Sequence, residues 1–577
     1  MDNKIRHIIN SFLVLLLFSS CVDILDKKPL TEIGENVVWE DPVLVKAFVN
    51  ARYNRIGHGW AESWMSSTVD ETYLTWSRGC EPITQGFVNP SDLGCMNYAM
   101  YSWNNREWST IWKNISNCNL FFERIEQVPF TNEKEKTVLK GEVRFIRILM
   151  YHDLISRWGG MPLIEKSFTL NDIEEILAIK RSSYKDCVDY MVSELDKAVQ
   201  ELPHTRSGQD KGRATSVAAL ALKSRILLYA ASDLMNINVK SEYVGYLNPD
   251  PNRWAKAAEA AEVCIRTATG NGYALYDKYG EDVKQKYTQL FLECGNEEVL
   301  FDREGTSSED GGVLNSLDQL NGPNGYGQWG GNTPISEFVD AFEMEDGSSF
   351  DWKNQSHARN PYANRDKRLY ATVLCDNDEW MGRNVEVFIN ADASGNELTS
   401  GGLDTKYGID AWNTSITGYN MRKFLDERYI PNSRKFYPKS WIWLRLGEQY
   451  LNLAEARYME GKENEARSAV NMIRQRARMP LITASGNALL DKIRNERRIE
   501  LCFEEHRYFD LRRWKIAEKY LNKVVTGITI LKLPDGTKKY IPGKVVEERK
   551  FIERMYWLPI PKSEMDKSPA FQQNPGY

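Results

Sequence analysis
The chain has 577 residues, with 74 Lys and Arg against 80 Asp and Glu and a formal net charge of −6. That near-balance excludes a protein drawing its affinity from a phosphate backbone, so no nucleic-acid partner is expected. With 42% apolar residues and 17 Trp, 28 Tyr and 21 Phe, the chain is too aromatic for a solvated coil, and it is long enough for several packing units or one repetitive scaffold.

Lys4 and Arg6 precede the apolar run Ile8–Phe18, which only Asn10 and Ser11 interrupt. About eleven residues fall short of the ~20 a spanning helix needs but suit the apolar core of a signal peptide. Ser19 and Ser20 lead into Cys21 in the order of a bacterial lipobox, with Cys21 as the acylated first residue of the mature chain. The alternative is a plain secretory signal cut near Ser20. Residues 1–20 are therefore assigned to a signal peptide and Cys21 to a lipid tether. The remaining cysteines, at 80, 95, 118, 187, 264, 294, 375 and 502, show no paired metal-ligand spacing. Cys80 and Cys95 flank a turn-rich segment and suit either a disulfide or two separate buried thiols.

Helical periodicity predicts helices over 41–54, 106–127, 132–158, 184–201, 215–232, 252–268, 440–460, 463–478 and 487–515. Val143, Ile146, Met150 and Leu154 form one apolar stripe. Ser216 is the expected cap of an Ala-rich helix whose Ala218, Ala219, Ala221 and Ala230 permit close helix–helix approach. Trp443, Leu446, Gly447 and Tyr450 match the opening letters of a tetratricopeptide repeat, but a turn at Gly461-Lys462 puts Tyr450, Leu453 and Ala454 at the consensus positions instead and starts the packed face of the second helix at Ala466. The turn register is preferred, because loop geometry constrains a helical pair more than a coincidence of letters.

Residues 303–332, rich in Gly, read as loop, and 370–440 mix short β-prone runs (Tyr370–Leu374, Val385–Ile389) with turns. Ile528–Leu533, Pro534-Asp-Gly536 and Lys538–Ile541 read as a hairpin. The expected fold is mainly α: a tetratricopeptide-like helical scaffold with an inserted irregular, loop-rich subdomain containing short β-hairpins.

Five segments in order carry a family resemblance: Cys21-Val-Asp-Ile-Leu-Asp26; the helix 142–154 with its exit Gly159-Gly-Met-Pro-Leu163; the Pro334–Gly347 segment; the helix 495–514 that ends Asp510-Leu-Arg-Arg-Trp514; and Leu558-Pro-Ile-Pro561 with Gln573-Asn-Pro-Gly-Tyr577. Along nearly its whole length the chain resembles the SusD/RagB family of outer-membrane nutrient-binding lipoproteins of Bacteroidetes. It departs at Glu505, where the family carries Gly, and at Val22, where a polar residue is common. The resemblance implies a non-catalytic, lipid-anchored protein facing the extracellular side of the outer membrane. Such a protein caps a SusC-like TonB-dependent transporter and delivers glycans to it, or peptides in some members. No cofactor is expected. Along the chain it implies an N-terminal helical region 21–300, an irregular subdomain 301–440, and a C-terminal region 441–577 holding the hairpin, the signature helix and the tail.

A sugar site needs flat apolar surfaces for the C–H faces of the rings and a few fixed polar groups for the hydroxyls. Trp60, Trp64, Trp76, Trp103, Trp108 and Trp112 crowd one stretch; Trp108 and Trp112, four apart on a predicted helix, suit core packing. Trp76, Tyr98, Tyr101 and Trp103 lie in or beside the loop-rich 75–105, among Arg78 and Asn104, and serve equally as binding or core residues. The resemblance places the glycan site in this loop region, with Asp70-Glu71 opening it. Tyr326-Gly-Gln328-Trp329, flanked by glycines just before the Pro334 segment, is the second candidate. Trp380, after the acidic run Asp376-Asn-Asp-Glu379, is the third; that run lacks the ligand periodicity of a calcium loop and reads as solvated.

In 492–514, Glu504, Arg507 and Asp510 recur as an ion-paired helix face, and His506 has no second His four residues on, so the region reads as structural. The rival functions are a helical glycoside hydrolase, a peptide-binding receptor of the same architecture and a protein-binding adaptor.

Overall fold
The structure, a computed structural model, describes residues 35–60, 63–76, 79–97, 106–305, 313–431, 437 and 439–577. Among these residues no helix is long and apolar enough to cross a membrane. Helices take 47% and strands 11% of the described residues, so the fold is mainly α with short sheets.

The first half is a run of stacked helices: α1 (Pro42–Tyr53), α2 (Trp108–Arg124), α3 (Glu133–Trp158), α4 (Tyr184–Glu201), α5 (Ser216–Ala231) and α6 (Asn252–Gly270). Side-chain caps start four of the six: among them, Asn132 accepts from the Lys134 amide at 3.0 Å and Ser183 from the Asp186 amide at 3.0 Å. The Ala-rich helix is capped by Thr215, which accepts from the Ala218 amide at 3.1 Å, and not by the expected Ser216. Ser216 is already helical, and its hydroxyl meets His204 Nδ1 at 2.7 Å. Helix α3 runs through the centre and is buried almost all round from Leu139 to Trp158, so the predicted stripe is only part of its packed surface. Its polar residues are paired across helices: Glu142 takes Arg206 and Arg213, while Arg144 and Arg147 share Glu194. Between α5 and α6, buried Ala218, Ala219, Ala221, Ala257 and Ala258 let the backbones approach closely.

The stack resumes after a long insertion. Helix α6 also packs on α7 (Leu446–Met459), which forms a hairpin with α8 (Glu463–Arg476). Gly461, at φ +79°, makes the turn, and Ala454 and Ala466 meet in a cluster with Leu451, Ala469, Val470 and Ile473. The turn register therefore describes this pair. Trp443 belongs to no helix: residues 440–445, predicted as helix, form a strand paired antiparallel with Val299–Glu304 and buried at all six positions. A run covered on both faces loses the alternation that marks a strand.

The segment 487–515 is two helices, α9 (Gly486–Glu500) and α10 (His506–Arg513). Between them Phe503 and Glu505 adopt φ of +62° and +69°. Glu505 thus occupies the left-handed conformation that favours the Gly it replaces; its carboxylate meets Arg106 at 2.6 Å. The expected ion-paired face is also different. Glu504 pairs with Arg445 and Lys423, Arg507 with Asp70, and Asp510 with Arg497 and Arg513, mostly across elements.

In the inserted region, β1 (Thr72–Leu74), upstream of it, pairs with a strand at Asn332–Pro334. A nine-residue helix, Val313–Asn321, lies inside the stretch read as loop. Tyr370–Leu374 is mostly a helical turn, with strand only at Val373–Leu374. The predicted hairpin is present and longer, Val524–Lys532 with Lys538–Glu548, and Ile389–Ala391 and Glu397–Gly401 widen it to four strands. Trp380 is fully buried, with the Arg422 guanidinium 5.3 Å from its ring. The acidic run before it is not a solvated loop: Asp376 is buried against Lys538, and Asp378 accepts from the Cys375 amide at 2.8 Å.

Candidate functional site
The two aromatic loops nominated by sequence are brought together. β1 runs antiparallel to Asn332–Pro334 in the register Thr72↔Pro334, Tyr73↔Thr333 and Leu74↔Asn332. One residue further, the Thr75 amide donates to Gly331 O at 2.9 Å and its hydroxyl to Gly330 O at 2.6 Å. This short ladder sets Trp76 against Trp329, with ring centroids 6.2 Å apart and planes at 79°, an edge-to-face pair. Trp329 is 41% exposed; Trp76 is half-buried, and its indole N–H has no hydrogen-bond partner.

The loop carrying Trp329 folds back on the end of the helix Val313–Asn321. Amides of Trp329, Gly330 and Gly331 donate to the carbonyls of Gln319, Gly322 and Leu320 at 2.8, 2.9 and 2.8 Å. Carbonyls near a helix C-terminus need such partners, so the helix anchors the loop while the loop caps the helix. Gly331 is required sterically: a Cβ there would lie 2.9 Å from the Trp76 ring and 2.7 Å from Leu320 O. Beneath the pair, buried Asn332 donates to Asn321 Oδ1 at 2.9 Å and accepts from Ser67 at 2.8 Å.

Tyr326 has one ring face covered by the Arg383 guanidinium, 3.6 Å from the ring centroid. Its hydroxyl donates to Arg383 O at 2.9 Å, and burial raises its pKa. Arg383 in turn grips Asp404 through bonds of 2.8 and 2.9 Å, and Asp404 accepts from the Gly325 amide at 2.9 Å. Tyr326 is thus a partly covered element of the loop's frame. Gln328 is buried under the loop, donating to Asp318 O at 3.0 Å. Asp70 is buried too, ion-paired with Arg507 and Arg498. Both side chains are covered by the protein itself. Arg78, Tyr98, Tyr101, Trp103 and Asn104, like Cys21, lie outside the described residues.

One exposed aromatic escaped the sequence reading. Trp412, 70% exposed, sits on a single turn whose start is capped by Asp410, which accepts from the Trp412 amide at 2.9 Å. The turn lies against the Trp329 loop: a Cβ on Gly330 would be 2.7 Å from Asn413 O, and Asn324 donates to Thr414 Oγ1 at 3.2 Å. The sequence signal was present in Asp410-Ala-Trp412-Asn413, a turn-forming Asp two residues before an aromatic.

Asp70 and Glu71 superficially resemble a catalytic pair, since burial and the Asp70 charge push Glu71 up to about 8 while Asp70 is held low by arginines. Both are only 1–2% exposed, however, so neither carboxylate opens on the surface. Among the described residues no group of His, Cys, Asp and Glu is arranged to hold a metal ion.

Comparisons with known proteins agree with this architecture. The family model described as SusD family matches residues 297–577, and that described as "Starch-binding associating with outer membrane" matches 39–228. SusD-like protein P38 of Formosa agariphila is 23% identical over 561 residues, covering 91% of this chain and 95% of its own. A SusD-like protein of Bacteroides fragilis superposes with a TM-score of 0.75 at 30% identity, covering 96% of this chain and all of the other. A laminarin-binding SusD-like protein shares the fold with a TM-score of 0.63 at 19% identity over 93% of this chain and all of the other. On these grounds, and on its mainly helical fold, the chain belongs to the SusD family.

Proposed function
We propose that this protein binds a glycan on the surface formed by Trp329, Trp76 and Trp412 and presents it, uncleaved, to a TonB-dependent outer-membrane transporter. The observation that carries the reading is the Trp76–Trp329 pair, fixed by a strand ladder with Trp329 left open to solvent. An exposed indole held rigidly offers a stacking face with little ordering cost on binding. Covering ~100 Å² of apolar surface contributes about 2.5 kcal/mol, so two or three such faces reach micromolar affinity. The family description of starch binding at the outer membrane and the laminarin-binding relative support the ligand class. Cys21 is the proposed lipid anchor, which holds the protein on the outer leaflet, and the residues at 98–104 are proposed to extend the surface.

The test is titration of the chain from residue 22 onward against a panel of oligosaccharides, with new reducing ends assayed in the same mixtures. Saturable binding that Trp329→Ala weakens by roughly sixty-fold, with no cleavage, is expected. Cleavage would establish a hydrolase instead, and binding unaffected by Trp329→Ala would remove this surface from consideration.

A further inference from the structure
We propose that Cys80 and Cys95 are joined by a disulfide in the exported protein, closing a loop that begins four residues after Trp76. The two Sγ atoms are 3.7 Å apart across fifteen positions of chain. The backbones on either side are already crossed: the Cys95 amide donates to Gly79 O at 2.5 Å. Gly79 and Gly94, at φ +76° and +56°, allow that crossing, and a Cβ on Gly94 would stand 2.4 Å from Gly79 O. The sulfurs have less than 2 Å to close to reach the ~2.0 Å of a bond. Other cysteines are held differently. Cys187 donates to Met161 O at 3.3 Å, Cys264 Sγ faces Val217 O at 3.9 Å, and Cys502 receives Lys423 Nζ at 3.8 Å.

The loop between the two cysteines is tied to the C-terminal part of the chain. Lys550 donates its amide to Thr84 O at 2.7 Å, Lys562 its amide to Pro90 O at 2.7 Å, and Arg554 its guanidinium to Val88 O at 3.3 Å. Covalent closure at its base makes these docked contacts one unit. Only the compartment in this proposal rests on the export reading, since exported dithiols are oxidised where cytosolic ones stay reduced; the sulfur geometry stands apart from glycan binding.

Oxidation by a disulfide donor such as oxidised glutathione balances simply. The thiolate of Cys95, the half-buried partner, attacks one glutathione sulfur and expels a glutathione thiolate. The Cys80 thiolate then attacks Cys95 Sγ and expels the second. Two protein thiols are oxidised, and one glutathione disulfide is reduced to two thiols.

The experiment uses the chain from residue 22 onward, which carries eight cysteines, incubated at mildly alkaline pH with oxidised glutathione or with dithiothreitol. Thiols are counted in denaturant, and cleavage before Asp92 separates the two cysteines for mass mapping. The expected result is eight thiols after reduction and two fewer after oxidation, with the Cys80 and Cys95 peptides linked and a higher thermal midpoint. Cys80→Ser should instead leave a glutathione adduct on Cys95. Eight thiols after oxidation, a lasting adduct on Cys95 in the unaltered chain, or linkage between other cysteines would overturn the proposal. None of these outcomes touches the glycan titration, so the two readings fail separately.

Discussion
Asp70 and Arg507 stand 437 positions apart in the chain and are joined by two hydrogen bonds of 2.8 Å each. Arg498 adds a contact of 2.9 Å to the same carboxylate. Burial alone would raise this carboxyl, but the Arg498 and Arg507 guanidiniums overcome it and hold the pKa well below the usual range. Asp70 therefore joins the strand that aims Trp76 to the break between α9 and α10. Asp70→Asn leaves two buried guanidiniums undercompensated and should cost about 3–5 kcal/mol in denaturant unfolding. Because the folded pKa is depressed, this stabilisation is present above pH ~4 and is lost as pH falls through the folded value. Glycan affinity of the folded fraction should stay unchanged; its selective loss would return Asp70 to the binding surface.

Glu71 behaves in the opposite sense. Burial, then the Asp70 charge, pushes it from 4.5 to about 8, and neither carboxylate oxygen has a hydrogen-bond partner. The folded state binds this proton more tightly than the unfolded chain, so the contribution is fully present below 4.5 and is lost as pH rises to about 8. Glu71→Gln mimics the protonated form. Its stability relative to the parent protein should rise between pH 5 and pH 9, and an unchanged difference across that range would refute the protonation state.

Trp329→Ala should weaken glycan binding by about 2.5 kcal/mol, roughly sixty-fold in Kd, because one stacking face is removed. With 41% of the residue already exposed, the thermal midpoint should move little. Trp412→Ala, at 70% exposure, should leave stability untouched and reduce affinity in the same direction. Calorimetric titration beside a thermal melt separates the two effects, and equal losses in both measurements would mark these residues as structural.

Gly331→Ala tests the ladder without touching an aromatic. The added methyl meets both Leu320 O and the Trp76 ring, so either the loop or the indole must shift. Overpacking of this kind costs about 1–3 kcal/mol. Affinity should fall although both tryptophans remain, and unimpaired binding would show that their relative placement does not matter.

Glu505→Gly sets two effects against each other. Glycine relieves a left-handed backbone worth about 1–2 kcal/mol, whereas breaking a buried ion pair costs about 3–5 kcal/mol. Arg106 keeps Asp153 at 2.6 Å, which softens the second term. The expected net is a destabilisation of about 1–3 kcal/mol in urea; a stabilised variant would mean that strain outweighs the pair.

The helices of the first half were legible because their apolar spacing is local, and α1 to α6 lie close to where periodicity put them. Strand 440–445 was hidden because all six of its residues are buried and alternation vanished. The break before His506 was hidden because a Glu fills a left-handed position where Gly would have marked it. Within the site, Trp76 and Trp329 were each recognisable as loop aromatics. Their partnership was not, since it depends on three-residue strands more than 250 positions apart, as the bond from Thr75 to Gly330 spans 255. The ion pairing of Asp70 was hidden for the same reason: its arginines lie over 420 residues downstream, and nothing beside it announces them.

The ladder of three residue pairs also determines what can be inherited separately. Trp76 belongs to the stretch 39–228 and Trp329 to 297–577, which are matched by two different family models. In the proposed site, recognition would therefore be the property of neither half. A chimera that took one half from a relative would keep a sound helical stack, yet its two indoles would come from surfaces shaped for different sugars. On the proposed site, a new ligand preference would call for changes on both sides of one narrow seam, or on the Trp412 turn that borders it.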